Sequence, residues 1–126
     1  MQKQVNRPVF INLVKIKFPL SAIASIMHRI AGVLMILCLP FLIYLFDLSL
    51  QDKTSFEHVR EITGHILVNI LLFSLLWSIS HHFFAGIRYF LIDLELISGK
   101  QSSRISSIIV IIAGFLPVLT LVWCQL

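Results

Sequence analysis

Three apolar runs, each longer than the roughly 20 helical residues needed to cross a ~30 Å hydrocarbon core, limit what this chain can become. They extend from about Ser21 to Phe46, from about Gly64 to Ile92 and from about Ile105 to Leu126. Hydrophobic residues make up 58% of the chain and charged residues 13%. Soluble domains carry roughly half and a quarter, so this chain has too little polar surface to cover itself in water. The expected fold is all-α, integral to the membrane, with three transmembrane helices in a single anchor domain spanning residues 1–126.

Two short polar connectors, Asp47 to Thr63 and Asp93 to Arg104, leave no room for a soluble domain. No low-complexity tract or internal repeat interrupts them, which weighs against an inverted-repeat transporter. Lys3, Arg7, Lys15, Lys17 and Arg29 crowd the N-terminal side, and Arg88, Lys100 and Arg104 the second connector. The first connector holds only Lys53 and Arg60 among more numerous acids. By the positive-inside rule the N-terminus and second connector face the cytoplasm, or the matrix of a mitochondrion, and the C-terminus faces the opposite side. The same placement gives the formal charge of +4 a topological role and argues against a nucleic-acid partner. Gln2 to Lys17 is polar and basic, and the run after it is too long for a cleavable signal. Cys38 and Cys124 stand in separate apolar runs with no paired spacing, so they are read as packing residues.

Polar groups inside the spans carry the chemistry. Pro19 suits a first helical turn and Ser21 its cap. In "SIMHR", Ser25 and Arg29 stand at i, i+4 and Ser25 and His28 at i, i+3, so a hydroxyl, an imidazole and a guanidinium share a helix face. Arg29 at the start of a span fits snorkelling to phosphate headgroups; the three groups together also suit an anionic or carbonyl-bearing ligand. In the second span, "SISHHFFAGIRYFLID" sets His82 six residues before Arg88, about 9 Å of helix rise below the boundary. A polar ring at that depth needs a partner. An interhelical hydrogen bond would supply one; so would haem iron, for which neutral imidazole is the commonest axial ligand. Gly86, one turn on, would let a flat macrocycle or another helix come close, whereas Gly32 and Gly114 are read as packing glycines. His81 points about 100° away and cannot ligate the same iron, so a second axial ligand must come from elsewhere.

"RPVFINLVKIKFPLSAIASIMHRIAG", Arg7 to Gly32, followed by "HHFFAGIRYFLID", His81 to Asp93, resembles the cytochrome b membrane-anchor subunit of succinate dehydrogenase, the larger of its two anchors. Arg7, Pro8, Ser25, His28 and Arg29 satisfy the family's first motif, and His82, Gly86, Arg88 and Asp93 its second. The resemblance implies that His82 is an axial ligand of haem b, the other axial histidine coming from the small anchor subunit of a heterodimeric helical bundle. It implies that Ser25 and Arg29 help form the ubiquinone site, and that His28 and Arg29 lie near the haem propionates. It also implies an iron-sulfur subunit and a flavoprotein subunit docked on the inner face. The chain itself would not be catalytic, and the location would be a bacterial inner membrane, with the mitochondrial inner membrane as the alternative. Two positions depart from the pattern: Ala31 where Ser or Thr is usual, and Tyr89 where His or Phe is usual.

Other readings make different predictions. A haem-free structural anchor of a related fumarate-reducing complex would use His82 only to bond a neighbouring helix. A small proton-coupled transporter would use His82 and Asp93 as a relay, although Asp93 beside Arg88 reads as an interfacial ion pair. The third run has no ionisable group; Pro117 is expected to kink it and Trp123 to anchor it at the interface. Pro40 and Asn69 are read as structural.

Overall fold

The structure is a computed structural model that describes residues 15–125; Lys3, Arg7, Pro8 and Leu126 lie outside the described residues. Four helices follow one another: α1 (Leu20–Gln51), α2 (Lys53–Gly64), α3 (Ile66–Asp93) and α4 (Lys100–Gln125). Among the described residues no strand is present, and α1, α3 and α4 are long and apolar enough to span a membrane. The all-α membrane fold expected from the apolar runs is therefore present.

Helix α1 outruns the span read from hydropathy at both ends, and α4 at its start, because a lipid boundary does not have to end a helix. At 32 residues, α1 measures about 48 Å and continues through Asp47 to Gln51. Helix α1 also runs on through Pro40, and α4 through Pro117. Pro19 is the N-cap of α1, with no side-chain capping bond, and Ser21 lies inside the helix rather than capping it. Proline supplies the extended backbone that precedes a helix, so the start moves ahead of Ser21.

The first connector is not a bare loop but contains α2. The Asp52 carboxylate accepts the Ser55 backbone N–H at 2.7 Å, closing the first turn. That hydrogen bond holds the Asp52 carboxyl below its usual range. Phe56, Val59 and Ile62 recur at helical spacing, and α2 leans on α1 and α3.

After α3 the chain reverses through a Schellman arrangement. The Leu96 N–H reaches the Leu91 carbonyl at 3.0 Å and the Glu95 N–H the Ile92 carbonyl at 2.9 Å, with Glu95 at φ 59° where glycine is usual. Gly99, at φ 84°, then leads into α4.

Helix α3 is central, packed against α1 on one side and α4 on the other. On α1 every seventh residue is buried: Ala24, Ala31, Cys38 and Leu45. Ser78, His81, Ala85 and Arg88 are buried on α3, and Ser107, Val110 and Gly114 on α4, with Gly114 against His81. Lipid tails are as apolar as leucine, so seams of small residues hold such helices by close approach rather than by hydrophobic contrast. Cys38 is part of the α1 seam, whereas Cys124 is exposed and does not pack.

Candidate functional site

The two histidines of α3 have different surroundings. His82 faces α1, where its Nδ1 lies 3.2 Å from the backbone carbonyl oxygen of His28. A carbonyl can only accept, so Nδ1 is the donor and Nε2 keeps the lone pair. Nε2 has no hydrogen-bond partner among the described residues and is not sealed from the surface. The carbonyl partner fixes the ring's tautomer and orientation, as second-shell groups do for metal-binding imidazoles.

Packing holds the same ring in place. His28 stacks on His82 with centroids 4.0 Å apart and planes 19° from parallel, and the Tyr89 ring meets His28 edge-on at 5.3 Å. Gly32, one turn beyond His28 on α1, lies under the His82 ring: a Cβ there would stand 3.2 Å from Cε1 and 3.5 Å from Nδ1. Gly86 shares the His82 face of α3, and the space where its Cβ would stand is open. His28 Nε2 is buried and without a partner among the described residues.

His81 turns to the other side and is fully buried. Trp77 stacks on it at 5.3 Å and 12°. Gly114 of α4 packs so close that a Cβ there would stand 2.9 Å from His81 Cβ and 3.2 Å from its Cα. Backbone groups of Ala24 and Val110 lie near the ring, yet neither nitrogen makes a well-formed hydrogen bond among the described residues. His81 is thus enclosed within the bundle.

Of the site residues expected from sequence, His28 and His82 are brought into contact. Ser25 is half-buried and Arg29 exposed on α1, and no hydrogen bond among the described residues joins either to the histidine pair. Arg29 borders a cavity of about 320 Å³ with Ile30, Val33, Leu34 and Leu37, an apolar trough with a guanidinium at one end. Ala31 is fully buried in the α1 seam. The ion pair expected between Arg88 and Asp93 is absent among the described residues, where both ion pairs lie in α2. Five residues on one helix are about 140° apart, so the Arg88 guanidinium turns into α4 while Asp93 stays exposed.

Sequence reading missed three features. The Nδ1 partner is a backbone carbonyl, which no side-chain pattern encodes. Gly32 and Gly114 each accommodate a histidine ring, a pairing their spacing does not reveal. Ser103 and Ser106 bind Arg88; their i, i+3 spacing was the available signal, diluted by Lys100, Gln101, Ser102, Arg104 and Ser107 around them.

Iron in a porphyrin requires only axial ligands from protein. A half-buried imidazole with an anchored Nδ1 and an open Nε2, above a glycine and beside a buried imidazole nitrogen that needs a partner, fits that requirement.

A family model described as succinate dehydrogenase/fumarate reductase transmembrane subunit matches residues 3–121. A succinate dehydrogenase cytochrome b556 subunit of Coxiella burnetii is 35% identical over 93% of this chain and 95% of its own length. A protein of the same description from Paracoccus denitrificans is 29% identical over 93% of this chain and 91% of its own.

Proposed function

The chain belongs to the succinate dehydrogenase/fumarate reductase transmembrane subunit family, and from that premise we propose that it is the haem b-carrying anchor through which succinate oxidation reaches quinone. The observation that supports this best is the polarity of the His82 ring, with Nδ1 bound to the His28 carbonyl and Nε2 left open. His82 would hold the iron through Nε2, and a histidine of the small anchor subunit would share in holding it. His28 Nε2–H and the Arg29 guanidinium receive the propionates. When bound, the haem supplies a one-electron redox centre within the membrane.

Ser25 and Arg29, one turn apart on α1, form the wall of a ubiquinone site. A quinone carbonyl gains negative charge as it is reduced, so a fixed hydroxyl donor and a guanidinium favour the reduced form and orient the ring. The N-terminus and the α3–α4 connector face the cytoplasm of a bacterium, where the iron-sulfur and flavoprotein subunits dock. The chain's own contribution is attachment, ligation and hydrogen-bond donation to the quinone.

The test is the reduced absorption spectrum of the complex carrying His82→Leu. The expected result is loss of the haem bands with the subunits still assembled, whereas undiminished haem would leave only a tether.

A further inference from the structure

Arg88 is the only Lys or Arg buried among the described residues, at 5% exposure. Its Nε donates to Ser106 Oγ at 3.0 Å, and its Nη2 to Ser103 Oγ at 3.1 Å and to the Ser103 carbonyl at 3.4 Å. These bonds satisfy donors without balancing the charge. Nη1 has no partner among the described residues and is not sealed from the surface.

The chain has no carboxylate to offer it. Of six acids in all, Asp47, Asp52, Glu57 and Glu61 belong to the far end of α1 and to α2, and residues 1–14 contain none. Asp93 and Glu95 lie at the same end of the bundle as Arg88 but form no ion pair among the described residues. A buried cation without a counter-charge is costly, so the balancing anion must come from outside the chain.

The shape beside Arg88 narrows what that anion is. A cavity of about 230 Å³ between α3 and α4 is lined by Arg88 and Ser106 together with Phe84, Leu91, Ile109 and Ala113, and is otherwise apolar. From Ser106 to Ala113 the trough runs about 10 Å deeper into the span. Arg88 itself stands five residues before the end of α3, about 7.5 Å of rise, the depth of headgroup and glycerol. A single charge at the boundary end of an apolar trough matches a molecule offering phosphate first and hydrocarbon second. A partner subunit's carboxylate would leave the trough empty. We propose that the α3–α4 trough binds an anionic phospholipid, its phosphate on the Arg88 guanidinium and one acyl chain along Phe84, Ile109 and Ala113.

The complex, purified with its partner subunits, stripped of lipid and re-equilibrated in micelles of equal phosphatidylglycerol and phosphatidylcholine, tests this by native mass spectrometry. The expected result is preferential retention of phosphatidylglycerol, weakened about tenfold or more by Arg88→Gln. Ala113→Leu fills the trough, leaves the Ser103 and Ser106 bonds untouched, and is expected to do the same. Lys100→Gln, which removes a surface charge outside the trough, is expected to change nothing. If Arg88→Gln fails to assemble, Ala113→Leu decides. Phosphatidylglycerol retained equally by parent and Ala113→Leu, or a partner carboxylate found bonded to Arg88 in a structure of the complex, overturns the proposal.

Discussion

His81 and His82 are neighbours in the chain with opposite surroundings. On the α1 side His82 has one nitrogen anchored to a backbone oxygen and the other open. On the α4 side His81 is sealed between Trp77 and Gly114 with neither nitrogen well bonded among the described residues. Identical imidazoles about 100° apart on one helix therefore do different work: the first is set up to bind something, the second is a packing element. An intramembrane histidine is a good functional candidate only when its geometry leaves it something to bind. The sharpest test exchanges the two. His82→Leu is expected to abolish haem binding, while His81→Leu is expected to retain it. The latter variant should also unfold no more easily than the parent, because an unsatisfied buried polar group costs about 1–3 kcal/mol. Haem lost from His81→Leu and kept in His82→Leu would reverse the assignment.

Each ring rests against its own glycine, and the two contacts predict different penalties. At Gly114 an added Cβ meets His81 backbone and Cβ atoms at 3.2 and 2.9 Å, which cannot yield unless α3 and α4 separate. Gly114→Ala is thus expected to destabilise the complex by about 1–3 kcal/mol with haem unchanged per folded complex, read by thermal unfolding and pyridine haemochrome. At Gly32 the contact is the His82 ring edge at 3.2 Å, which can shift by a few tenths of an ångström. Gly32→Ala should keep stability but tilt the ligand, weakening haem retention by about tenfold, as loss of a supporting interaction does for metal-binding histidines. Gly86→Ala meets nothing among the described residues, so haem lost from that variant at full stability would mark a group outside them against that face. Equal effects of Gly32→Ala and Gly114→Ala on haem would remove the distinction between the two sides.

Much of this could be read from residues alone. Three apolar runs fixed the fold class because membrane thickness leaves few alternatives, and the six residues from His82 to Arg88 marked His82 as a deep polar ring in need of a partner. What escaped reading had physical causes. Helix α2 depends on the Asp52 cap and the Phe56, Val59 and Ile62 stripe, a signal masked by the charges around it. The true ends of α1 lay beyond the hydropathy boundary because helix hydrogen bonding continues where lipid stops. The carbonyl that orients His82 has no side-chain signature, and the partner of Arg88 was sought along α3 when it lay across on α4. Ser25 and Arg29 stand one turn apart on α1, as their i, i+4 spacing implied, and their place at a quinone is part of the proposed function.

The smallest expected effect concerns how completely the α4 side is closed. Trp77 stacks on His81 and lies 5.8 Å from Phe115, and its Nε1 is buried without a partner among the described residues. Trp77→Phe removes an unsatisfied donor, a gain of about 1–3 kcal/mol, and also part of an indole whose burial is worth a comparable amount. The two nearly cancel, so thermal stability should change by less than about 1 kcal/mol and the haem spectrum not at all. A much larger loss of stability would mean that packing of the indole against His81 and Phe115 outweighs its unpaired N–H. In that case the side of α3 that holds His81 is a more tightly closed seam than its unsatisfied nitrogens suggest, and its contrast with the His82 side grows accordingly.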